Sequence, residues 1–77
     1  MVLLRKFERL DAERYQLQGE VEAKYAVFER DGRGFVQINT YGSPDREMPG
    51  KLSQTIQLDR EGAIELVAIL RKAFAIT

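Results

Sequence analysis

Two alternating runs on either side of Asp31-Gly32-Arg33-Gly34 constrain the fold of this chain more than any other feature. Val21, Ala23, Tyr25 and Val27 alternate with Glu22, Lys24, Ala26 and Phe28. Val36, Ile38 and Thr40 alternate with Phe35, Gln37, Asn39 and Tyr41. A period of two is that of a half-buried strand. Gly32 and Gly34 accept positive φ without a Cβ clash, as a tight hairpin connection requires, so the two runs are expected to pair antiparallel. The set Phe35, Gln37, Asn39 and Tyr41 mixes rings with amides and is the candidate binding face.

The chain then passes through Gly42-Ser43-Pro44-Asp45 and Met48-Pro49-Gly50, whose prolines lack a donor and whose glycines permit sharp turning, so this segment reads as a loop or protruding ribbon. Leu52, Gln54, Ile56 and Leu58 alternate with Ser53, Thr55 and Gln57 as a further strand. Asp59 suits a helix N-cap and Glu61 the first turn, where a negative charge complements the helix dipole. The helix is expected to end near Phe74. Ala63, Val67, Leu70 and Phe74, joined by Leu66 and Ala73, form a stripe wide enough to cover one sheet face. Gly62 lowers helix propensity and marks the close approach of another backbone. Ile64, Ile69 and Ile76 lie beside the stripe and would be exposed in a monomer, which predicts a homodimer paired through this helix.

The first twenty residues admit two readings. Leu3, Phe7 and Leu10 would share one helical face, with Arg5, Glu8, Arg9 and Asp11 opposite, followed by a short strand at Tyr15-Gln16-Leu17-Gln18 that ends at Gly19. The rival is an extended arm. The expected fold class is α+β: an antiparallel sheet of about four strands with one C-terminal amphipathic helix packed on one face. Residues 1–77 form a single domain, with 1–20 as helix or arm and short strand, and 21–77 as the core.

Composition removes several functions. There is no histidine and no cysteine among the 77 residues. Zinc sites, disulfides and His-based triads are therefore excluded, and no cofactor or metal is expected. Asp45 and Glu47 lie two apart in a loop, but no further ligand, base or nucleophile accompanies them, and the chain is expected not to be an enzyme. The apolar run Met1-Val2-Leu3-Leu4 is shorter than the core of a signal peptide, so a cytoplasmic location is expected. Twelve basic residues balance twelve acidic ones. A protein that holds nucleic acid by neutralising phosphates usually carries a basic excess. The balance ceases to count against that role if Lys24, Arg30, Arg33, Arg46 and Lys51 gather on one sheet face while Glu8, Glu20, Glu61 and Glu65 lie elsewhere.

The order of strand, glycine turn, strand ending in Tyr41, loop with Pro44-Asp45 and Met48-Pro49-Gly50-Lys51, strand with Ile56-Gln57-Leu58, and single helix resembles a known family. It is the single-stranded-DNA-binding domain of the transcriptional coactivator positive cofactor four and its bacterial relatives, whose four-strands-plus-helix plan is shared by Whirly and Pur domains. The resemblance covers roughly the last fifty residues of the chain. It implies a symmetric dimer, paired partly through its helices, whose curved sheets present basic and aromatic residues to single-stranded nucleic acid. Lys51 resembles the family's loop lysine, Lys24, Arg30 and Arg33 the basic residues around the first hairpin, and Tyr41 the aromatic that ends the second strand. Gly42 stands where eukaryotic relatives place a tryptophan, so that stacking platform is missing.

Two functional readings follow. In the first, the chain is a homodimeric single-stranded DNA or RNA binding protein of transcription, replication or repair. Phe35 and Tyr41 stack bases, Gln37 and Asn39 lie between them, and Lys24, Arg30, Arg33, Arg46 and Lys51 meet phosphates. In the second, it is a protein-interaction module of the same fold that pairs with another polypeptide through its sheet face or edge. Phe35 and Tyr41 suit packing in such an interface as well as base stacking.

Overall fold

A computed structural model of the chain describes residues 1–42 and 52–77. Its elements are β1 (Val2–Leu4), β2 (Ala23–Arg30), β3 (Arg33–Tyr41), β4 (Leu52–Asp59) and α1 (Arg60–Phe74). The strands form one mixed sheet in the order β1-β4-β3-β2, so the fold is α+β with a single C-terminal helix. No described helix is long and apolar enough to cross a membrane.

β2 and β3 make the expected hairpin, in register from Ala23↔Thr40 to Arg30↔Arg33. The turn differs from expectation in one residue. Positive φ falls on Asp31 (54°) and Gly32 (76°), while Gly34 lies inside β3 opposite Glu29. Two consecutive positive φ angles define the two-residue turn whose twist matches that of the flanking strands, and aspartate tolerates the first position because its short side chain bonds locally.

β4 runs antiparallel to β3, with an irregularity between Thr40 and Tyr41, and β1 lies parallel to β4 on its other side. The amino-terminal helix and the strand at residues 15–18 do not form. The fourth strand is instead Val2–Leu4, and residues 5–22 are an irregular arm that leads from β1 at one edge to β2 at the other. A helix of two turns is marginal on its own, whereas Val2–Leu4 gain ladder partners at a sheet edge. Tyr15 is held locally, its hydroxyl accepting from the Ala12 N–H at 2.8 Å.

The register assembles apolar rows across the sheet. Val27, Val36, Leu58 and Leu4 form one row, and Tyr25, Ile38, Ile56 and Val2 the next. The helix begins directly after β4, capped by the Asp59 carboxylate, which accepts from the Gly62 N–H at 2.9 Å. Gly62 is the one buried helix residue, and a Cβ there would collide with the Leu4 carbonyl oxygen. That is the close backbone approach its position in the sequence implies.

Beyond this anchor α1 does not cover the sheet as its stripe predicts. Ala63 and Leu66 are half-buried, but Val67, Leu70 and Phe74 are exposed. A groove of about 670 Å³ separates Val27, Val36 and Leu58 from Ala63, Ile64 and Val67. Helical periodicity tells which side chains share a face, and it does not tell what that face meets.

Candidate nucleic-acid interface

The face opposite α1 holds the polar and aromatic set. Counting outward from the Asp31-Gly32 turn, Arg30 pairs with Arg33, and Phe28 with Phe35. The two phenylalanine rings stack, with centroids 5.3 Å apart and planes 20° from parallel. Each ring also carries a cation. The Arg30 guanidinium carbon is 5.9 Å from the Phe28 centroid, and that of Arg33 is 5.1 Å from the Phe35 centroid. A guanidinium at this distance is attracted by the negative face of the ring.

The next rows are amides and a hydroxyl. Gln57 Nε2 donates to Gln37 Oε1 at 2.9 Å, Gln37 Nε2 to Asn39 Oδ1 at 3.1 Å, and Thr55 Oγ1 to the same Asn39 oxygen at 3.1 Å. These bonds arise because Gln37↔Gln57 and Asn39↔Thr55 are register partners on one face. Such a network fixes its side chains while leaving amide valences for a ligand. At the far end of the face, Lys24 Nζ lies 5.3 Å from the Tyr41 ring centroid.

Asp59 supports the Phe28–Phe35 end. It is buried, at 5% exposure, and receives Arg33 Nη2 at 3.0 Å and Arg5 Nε at 3.6 Å in addition to the helix amide. The Gly62 amide bond, and then the two arginines, hold its carboxyl below the usual carboxylate range, against the opposing effect of burial. Arg33 is thereby pinned by Asp59 with its other donors still open to solvent, since its side chain is 53% exposed.

Charge is partly sorted between the faces, with Glu22, directly before β2 and accepting from the Tyr41 N–H through its carbonyl, keeping the parity of Lys24. On the described strands the carboxylates are Glu29 and Asp59. Strand alternation puts Glu29 on the helix side, and Asp59 is neutralised in the cluster just described. Glu61 and Glu65 are on α1, Glu20 is on the arm, and Glu8 sits there 3.5 Å from Lys6 Nζ. Of the residues expected at the interface, Lys24, Arg30, Arg33, Phe35, Gln37, Asn39 and Tyr41 share this face. Arg46 and Lys51 lie outside the described residues, as do Asp45 and Glu47.

Phe28, Thr55 and Gln57 belong to the same face and were missed from sequence. The signal for Phe28 was present, because a two-residue turn at Asp31-Gly32 places it opposite Phe35 by counting alone. No such count reaches Thr55 and Gln57, whose register depends on the length of the intervening loop. Among the described residues, no three metal-ligating side chains come together. No protein-family model matches the chain, and neither the curated proteins nor the solved structures contain a match to it.

Proposed function

We propose that this chain is a single-stranded nucleic-acid-binding protein that works as a homodimer and catalyses no reaction. The observation that carries the reading is the row Arg30–Phe28–Phe35–Arg33, continued by the amide network to Lys24 and Tyr41. Stacking rings, cations beside them and hydrogen-bonding amides are the groups that hold unpaired bases and their phosphates. Within the described strands the one carboxylate on this face, Asp59, is paired with Arg33 and Arg5, so a neutral chain still offers a row of cations there.

A ring-bearing sheet face favours single strands over duplex, because bases must be unstacked from one another to lie on its rings. From Phe35 to Tyr41 the strand runs roughly 20 Å at about 3.3 Å per residue, enough for a few splayed nucleotides per protomer.

Fluorescence anisotropy of labelled single-stranded and duplex oligonucleotides, titrated at low and moderate salt, tests the proposal. Salt-sensitive binding with preference for single strands is expected, lost on combining Phe35→Ala with Arg30→Ala. Absence of binding at low salt overturns it. The open edge of the eight-residue strand β2, available for strand addition by another polypeptide, then becomes the working surface.

A further inference from the structure

Gln37, Asn39, Thr55 and Gln57 are joined by hydrogen bonds whose direction decides which atoms the face shows a ligand. An amide accepts through its oxygen and donates through its two N–H groups, so a row of amides can run either way. Thr55 breaks the tie. It is 3% exposed, so water does not reach its hydroxyl, and among the described residues the Asn39 oxygen at 3.1 Å is the acceptor that hydroxyl has. Turning the row round would make Asn39 donate to Thr55 and leave the threonine proton buried without an acceptor, a cost that the observed direction avoids. Asn39 is therefore fixed with Oδ1 toward β4. Gln37 follows by giving an N–H to that oxygen, and Gln57 by giving one to Gln37 Oε1.

What remains is unequal. Asn39 has both N–H groups left and Gln37 and Gln57 one each, whereas among the described residues the Asn39 oxygen is used twice, the Gln37 oxygen once and the Gln57 oxygen not at all. Lys24, the register partner of Asn39, adds an ammonium beside it. Ala26, the partner of Gln37, ends at its Cβ, so the row lies low on its β2 side, between the Phe28–Phe35 pair and Tyr41.

We infer that this face selects bases carrying exocyclic carbonyl oxygens, and that Thr55 is the positioning residue that sets the preference. The inference rests on the nucleic-acid reading above and adds to it the class of base. Thymine and uracil bring two such oxygens to the unused donors, guanine and cytosine bring one, and adenine brings none. Stacking on rings and contact with phosphate are common to all bases, so they supply affinity without this choice. Thr55 itself touches no base and acts through Asn39.

The test is competition by unlabelled strands against a labelled single strand bound to the full chain, at one moderate salt concentration. Oligothymidine is compared with the same strand carrying difluorotoluene in place of thymine, a ring of the same shape that stacks but has no carbonyl oxygen. The substituted strand is expected to bind at least about fivefold more weakly, the low end of what one paired base contact discriminates. Thr55→Val keeps the side-chain shape and removes the donor, and is expected to bring the two affinities together. Thr55→Ser keeps the donor and is expected to restore the difference. Because a buried substitution can also disturb the fold, Asn39→Ala removes the amide donors at a half-buried position, with the same expected convergence. Equal binding of the two strands by the native chain overturns the inference and leaves the nucleic-acid reading standing. So does a folded Thr55→Val or Asn39→Ala variant that keeps the full difference. Failure to bind any strand overturns both.

Discussion

The Arg33 guanidinium donates to the Asp59 carboxylate at 3.0 Å while its carbon lies 5.1 Å from the centre of the Phe35 ring. One side chain thus joins the helix cap to the aromatic face. The Asp59 carboxyl, which also accepts from Gly62, is held below its ordinary value. Its unfolded form binds a proton more readily than its folded form, so its contribution to stability is complete above the ordinary carboxylate range and is lost as pH falls through the depressed folded value.

Asp59→Asn is therefore expected to lower the Tm at neutral pH and to flatten the acid limb of a plot of Tm against pH. The amide oxygen keeps an acceptor for Gly62 but loses the charge that holds Arg33 and Arg5. Thermal unfolding followed by circular dichroism between pH 3 and 8 reads both effects, and an unchanged acid limb would assign the acid sensitivity to other carboxylates.

The phenylalanine pair and the cations act on binding in different ways. Phe28→Ala and Phe35→Ala are each expected to weaken single-strand binding by about 1–3 kcal/mol, as loss of a base-stacking ring does, without changing its salt dependence. Both also lose a ring pair worth about 0.5–1.5 kcal/mol to the fold, so binding is compared below their unfolding temperatures.

Lys24→Ala, Arg30→Ala and Arg33→Ala are expected to change the slope of log K against log salt instead. With about 0.7 counterions released per phosphate on a single strand, each removed contact flattens the slope by about 0.7. Anisotropy titrations at four salt concentrations measure this, and a slope unaffected by all three substitutions would place the phosphates elsewhere.

Gly62→Ala is expected to destabilise the fold although alanine is the better helix former. The added Cβ meets the Leu4 carbonyl, so either β1 or the first turn of α1 must shift. Faster amide hydrogen exchange in Leu3 and Leu4, measured against the rest of the sheet, would locate the loss.

Ala75 closes α1 in the left-handed region at φ 53°, with the Ile76 N–H donating to the Arg71 carbonyl at 3.1 Å. Glycine accepts that conformation without the Cβ penalty, so Ala75→Gly is expected to stabilise the chain by about 0.5–1 kcal/mol in a denaturant titration. A destabilised variant would show that Ala75 is held by contacts beyond its own backbone.

Local chemistry was legible in the residues. Alternation gave β2, β3 and β4, the N-cap preference of aspartate placed the start of α1 at Asp59, and the apolar stripe ended near Phe74, as it does in the structure. The hairpin was legible but its register was not read, because positive φ was expected at Gly32 and Gly34, whereas the two-residue turn at Asp31-Gly32 fixes the pairing by counting. The amino terminus misled because Leu3, Phe7 and Leu10 match a helical period by spacing alone. The competing gain, an edge place beside β4, involves residues more than fifty positions away and leaves no local mark.

The sequence by itself determined which side chains share a face, since that depends only on backbone periodicity and turn type. Tertiary structure decided what each face meets. It brought Arg5 and Arg33 to Asp59, joined Gln37, Asn39, Thr55 and Gln57 in one network, and stood α1 away from the strands so that its stripe and the Tyr25–Val27 side remain open. Those outcomes rest on contacts between segments distant in the chain, whose register and separation are set by the packing of the whole domain.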